Sequence, residues 1–141
     1  MTHEIRIFDA DADYEMVSEW WGAHKREAVP LAILPKLGVI VTQDGKDVAA
    51  MWVYLDNSVG VCFLEYGVAR PKIGLMRMRA AMAVGVDFLK RHVAELDYGV
   101  MLVRVVPAFA RLFKGIGFSS GDSGLVCMAG LTSAKESRVK T

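Results

Sequence analysis

Residues Gly74–Val106 read GLMRMRAAMAVGVDFLKRHVAELDYGVMLVRVV. Leu75, Met78, Met82, Val86, Leu89 and Val93 recur at steps of three and four, while Arg77, Asp87, Arg91 and Glu95 fall on other faces. That spacing predicts a long amphipathic helix from Gly74 to about Leu96. The run after it, "YGVMLVRVV", is apolar and rich in β-branched residues apart from Arg104, which predicts a strand central in its sheet. A strand, a long helix and a further strand in succession imply a right-handed crossover between parallel neighbours.

Upstream, "GVIVTQDGKDVAAMWVYLDNSVGVCFLEYGVARP" from Gly38 to Pro71 holds three β-rich runs separated by "QDGK" and "LDNS". Both separators have turn chemistry, so this reads as an antiparallel meander. "EIRIF", Glu4–Phe8, alternates as a half-buried first strand does. The acidic cluster Asp9, Asp11 and Asp13 offsets the positive end of a helix predicted from about Asp11 to about Lys25. Pro30 and Pro35 make "AVPLAILPKLG" a broken helix or an ordered apolar loop, and a candidate substrate-facing segment. Downstream, "PAFARLFKGIGFSS", Pro107–Ser120, predicts a short helix, Gly124–Leu131 a final strand, and residues 132–141 a polar tail.

With 141 residues the chain is one domain, expected over residues 1–131. Its composition is 53% hydrophobic, yet no run approaches the roughly 20 apolar residues of a membrane span, and the N-terminus lacks a secretory pattern. These features predict a cytoplasmic protein without a membrane partner. Seventeen basic and sixteen acidic side chains give a net charge of +1, which argues against nucleic acid as a partner. Cys62 and Cys127 lie in apolar strand-like runs and are expected to be buried free thiols. His3, His24 and His92 are too scattered for a zinc signature, so no metal is expected. The oligomeric state is open, and the high apolar content allows a homodimer through an exposed strand or patch.

Two stretches at this spacing carry a family resemblance. "EYGVARP" resembles the strand ending in Val-x-Pro, and "FARLFKGIGF" resembles the Ala-x-x-Leu-Tyr-x-x-x-Gly-Phe helix, of the GNAT (Gcn5-related) N-acetyltransferases. Together with the element order, the likeness spans about Glu4 to Leu131. It implies an α/β (α+β) domain with a mixed, mostly antiparallel sheet flanked by helices, and transfer of an acetyl group from acetyl-CoA to the amine of a small molecule or protein. "LPKLGVIVTQDGKDVAAMWVYLDNS" with "LEYGVARP" also resembles short GNAT-like proteins of bacteriophages, in which case the host cytoplasm is the setting. The alternative is a GNAT-like binding or structural module without catalysis.

In the family a Gln/Arg-x-x-Gly-x-Gly/Ala loop opens the central helix and holds the CoA pyrophosphate. Here "RPKIGLMRMRAA" breaks that pattern but offers Gly74 with Lys72, Arg77 and Arg79, and a cationic helix start can hold phosphate or merely be a solvated face. The resemblance adds Val68 and Phe113 to the residues that contact acetyl-CoA. Phe113 falls where the family has its thiolate-protonating Tyr, and Val106 near its usual Asn, so both polar groups are missing.

Transfer of an acyl group to an amine needs a base and a donor for the departing thiolate. Glu65, inside the apolar "VCFLEYGV", is the candidate catalytic base or else a partner of Arg104 in an ion pair. Tyr66, the second catalytic candidate, and Tyr54 are possible donors or simply core aromatics. Trp20, Trp21, Trp52 and "PLAIL" would form an apolar acceptor pocket or part of the core.

Overall fold

The structure, a computed structural model, describes residues 1–132. Its elements run β1 His3–Ile7, α1 Ala10–Ala23, β2 Leu37–Gln43, β3 Lys46–Leu55, β4 Val61–Ala69, α2 Leu75–Glu95, β5 Val100–Val103 and α3 Pro107–Gly115. The five strands form one sheet in the order β1-β2-β3-β4-β5. Pairing is antiparallel from β1 to β4, and β5 joins β4 in parallel, as the crossover through α2 requires.

Each face of the sheet has its own core. Val39, Val41, Met51, Val53 and Leu64 point to α2, which contributes Ala81, Val86, Leu89 and Val93, while Phe113 of α3 closes that layer. On the opposite face Ile40, Ala50, Trp52 and Val68 pack with Val17, Trp20 and Trp21 of α1. The strands are therefore buried on both sides, which is why β2 and β3 read as continuous apolar runs. Asp9 caps α1, its carboxylate accepting the Asp11 N–H at 3.1 Å. The buried Asp13 carboxylate is met by Arg6, which also reaches Asp47, so one guanidinium ties β1, α1 and β3 together.

Three expectations need correction. β5 is not central: it has four residues, stands at the sheet edge, and leaves Val100 and Leu102 about half exposed. Gly124–Leu131 forms no strand; Leu125, Val126, Met128 and Leu131 lie exposed, since high β-propensity makes a strand only where a ladder partner is met. Cys127 within it is exposed, whereas Cys62 is buried and its thiol is pushed above its ordinary value by that burial. Of the predicted polar tail, residues 133–141 lie outside the described residues. Among the described residues no helix is long and apolar enough to cross a membrane.

Candidate active site

The site is built where β4 and β5 part. Their last paired residues are Leu64 and Val103, and β4 continues to Ala69 without β5 beside it. The opening wedge lies at the carboxyl ends of two parallel strands, beside the N-terminus of the crossover helix, which is where open sheets leave a crevice.

Glu65 is the first residue of β4 past the last pair and Arg104 the first past β5. Their side chains form an ion pair across the wedge, with the Glu65 side chain 13% exposed and that of Arg104 62%. Hydrogen bonding to Glu65 holds the guanidinium above its ordinary pKa. Only Glu65 Oε2 is engaged by Arg104. Arg104 also donates to the Cys127 sulfur at 2.9 Å. The structure thus realises the ion-pair reading of Glu65 and also sets its carboxylate at the mouth of the wedge.

β4 is bulged here: the register jumps from Trp52 opposite Glu65 to Ala50 opposite Val68, so Tyr66 and Gly67 together face Met51. Tyr66 takes a left-handed φ of 63° to make the bulge. The result is that neighbouring residues share a face. Glu65 sits across from Trp52, whose side chain faces α1, and Tyr66 packs against the same α1-side core.

Tyr54, two residues along from Trp52, reaches the same place. Its hydroxyl donates to the Ile33 carbonyl and lies 2.9 Å from the Tyr66 hydroxyl. A phenol has one proton and a carbonyl can only accept, so Tyr66 must be the donor of the Tyr66–Tyr54 bond. Burial first, then the bond to Tyr66, pushes the Tyr54 pKa well above its ordinary value, and the Glu65 charge adds to the rise. Tyr54 stays protonated, and the free lone pairs of Tyr66 Oη are left for a ligand.

The residues expected to hold a cofactor divide in two. Lys72, Gly74, Arg77 and Arg79 are exposed around the start of α2. Gly74 caps that helix at φ 88°, no side chain caps it, and its first turn has no acidic residue, so several N–H groups face outward beside cationic side chains. This end of α2 fits an anion such as a pyrophosphate. By contrast Val68 and Phe113 are 3% and 6% exposed, with Phe113 edge-on to Phe118 at 5.3 Å. Val68 has its side chain in the α1-side core and its main chain paired with Ala50 of β3, so it does not face the wedge, and Phe113 is a core residue of α3. Trp20, Trp21 and Trp52 are likewise core, at 3% exposure or less.

Three features of the site escape a reading of the residues. The bulge had one signal, the isolated Gly67 inside a strand. The Ile33 carbonyl, and the bonds from His24 and Arg26 to the edge of β4, had none, because they depend on where the loops after α1 meet the sheet. Among the described residues no group of three His, Cys, Asp or Glu side chains could hold a metal ion.

No protein-family model and no curated protein sequence matches the chain. Solved structures do. An aminoglycoside acetyltransferase from an uncultured soil metagenomic sample superposes with a TM-score of 0.69 at 8% identity, over 92% of this chain and 97% of the other. The ribosomal-protein-S18-alanine N-acetyltransferase of Escherichia coli gives 0.64 at 15% identity, over 86% and 80%. Glucosamine-6-phosphate N-acetyltransferase of Arabidopsis thaliana gives 0.60 at 12% identity, over 93% and 99%. At such identities the likeness is one of architecture, and the architecture is the GNAT acetyltransferase fold.

Proposed function

We propose that this protein transfers an acetyl group from acetyl-CoA to a primary amine. The observation that carries the reading is the wedge itself. It joins an anion-binding helix start, an open strand edge and a carboxylate at the point where β4 and β5 separate. The fit of the substrate follows from the donor set: outward N–H groups of α2, with Lys72, Arg77 and Arg79, suit the pyrophosphate.

In the reaction the amine nitrogen bonds to the thioester carbonyl carbon and the C–S bond breaks. Glu65 accepts the proton that the ammonium must lose, directly or through water, and Arg104 holds the carboxylate in place at the wedge. The thiolate takes a proton from Tyr66 in place of the hydroxyl that Phe113 lacks. For this the Tyr66 O–H must turn away from Tyr54, at a cost of about 1 kcal/mol for the hydrogen bond given up.

That hydrogen-bond polarity makes a test. Tyr66→Phe is expected to lower kcat by roughly 10²-fold, the contribution of a positioned proton donor. Tyr54→Phe frees the Tyr66 proton and is expected to leave kcat at or above the wild-type value. Thiol release in the presence of an aminoglycoside, glucosamine 6-phosphate and an Ala-initiated peptide, chosen from what the superposed enzymes act on, measures both. Equal losses in the two variants would reduce the pair to a packing role.

A second reading has observations of its own. The helix start lacks the glycine-rich loop, Phe113 is buried, and Glu65 is already paired. These fit a GNAT-fold module that no longer catalyses. Calorimetric titration separates the two: acetyl-CoA is expected to bind and raise the melting temperature. Lys72→Ala with Arg79→Ala should weaken that binding about tenfold at low salt and less at high salt. No binding and no thermal stabilisation at millimolar acetyl-CoA would leave the non-catalytic module.

A further inference from the structure

The segment after α1 covers the open edge of β4. Arg70 N–H bonds to the Val48 carbonyl and Val68 pairs with Ala50, so the main-chain groups of Ala69 between them face away from β3, while Gly67 lies in the bulge. Both carbonyls are taken by side chains. His24 Nε2 donates to the Ala69 oxygen at 2.8 Å, and Arg26 Nη1 donates to the Gly67 oxygen at 3.2 Å.

The backbone that carries these donors is fixed. Arg26 N–H bonds to the Trp21 carbonyl at 2.9 Å, and the Val29 carbonyl accepts the Tyr14 hydroxyl at 2.7 Å. Lys25 between the donors sits at φ 59°, the left-handed residue that ends α1, with its N–H bonded to the Gly22 carbonyl at 3.0 Å. The two side chains are exposed, so either can rotate into solvent without disturbing the core.

An unpaired strand edge accepts an extended ligand through main-chain hydrogen bonds, and its carbonyls call for N–H donors. The arm of a CoA thioester is extended and contains two amide groups. We infer that His24 and Arg26 compete with the acyl donor, occupying the β4 carbonyls that the amide N–H groups of a thioester arm would bond. The arm has to displace them to lie in the wedge, so the two side chains lower the affinity for the thioester. The inference rests on the acetyltransferase reading.

Calorimetry of the full chain tests it with two probes, acetyl-CoA and adenosine 3′,5′-bisphosphate, the latter having a phosphorylated nucleoside but no arm. The His24→Ala, Arg26→Ala double variant is expected to bind acetyl-CoA about tenfold more tightly, two modest hydrogen bonds no longer competing, and the bisphosphate unchanged. A melting temperature close to wild type confirms that the fold is kept. Unchanged or weaker acetyl-CoA binding by the variant, with wild-type binding intact, overturns the assignment while the acetyltransferase reading stands. Equal tightening of both probes also overturns it, since the effect is then not on the arm. Absence of acetyl-CoA binding by either protein removes both.

Discussion

Glu65→Gln is expected to slow acetyl transfer by about 10²–10⁴-fold, the range of a lost general base, while leaving the fold and the affinity for acetyl-CoA unchanged. The substitution is nearly isosteric, so the position opposite Trp52 and the bulge at Tyr66 keep their packing. It removes the charge that Arg104 faces. Arg104 is 62% exposed and stays solvated without its partner, so the loss of the pair should cost no more than about 1 kcal/mol of stability. Three measurements separate a base from an ion-pair strut. Thiol release gives kcat, titration gives the acetyl-CoA affinity, and the melting temperature of the variant reports what the ion pair contributes as a strut. An unchanged rate would remove Glu65 from the chemistry and leave it as the fastener between the ends of β4 and β5.

The parts of this architecture that are local in the chain were legible before any coordinates. The stripe Val86, Leu89 and Val93 faces the sheet, and the crossover it implies places β5 parallel to β4. The same stripe misleads at its start, where Leu75 is 59% exposed. What could not be read depends on the approach of distant segments. Gly85 packs so close to β3 that a Cβ there would meet the Met51 methyl group at 2.4 Å, and nothing in "AVGVD" announces that contact. Gly124–Leu131 has strand composition and no ladder partner among the described residues. The polarity of the tyrosine pair rests on a carbonyl in the proline-broken loop, 21 residues from Tyr54 in sequence. Sequence therefore shows which groups can do chemistry at the wedge, and only the folded loops show which of their protons are already committed.

Trp52→Ala is expected to lower stability by about 3–5 kcal/mol, the cost of emptying a large buried aromatic site. For a domain of this size that is a fall of about 10–20 °C in melting temperature. Trp52 is wholly buried, edge-on to Phe8 at 5.1 Å and tilted against Trp21 at 5.4 Å. Its indole lies over Gly38, its neighbour on β2, where a Cβ would come within 2.2 Å of the ring. Two ladders hold β3 in place, so the strands cannot close on the space that truncation leaves, and Gly38 has no side chain with which to fill it. Gly38→Ala should therefore destabilise the fold for the opposite reason, by forcing the indole out of its site while deleting no apolar surface. A substrate pocket would behave differently: Trp52→Ala would raise the KM for the amine and leave the melting temperature almost unchanged. Trp52 also stands opposite Glu65 across the β3–β4 ladder. A variant assayed far below its melting temperature should accordingly keep its acetyl-CoA affinity and lose rate, because the strand that aims the carboxylate has lost the side chain that holds it.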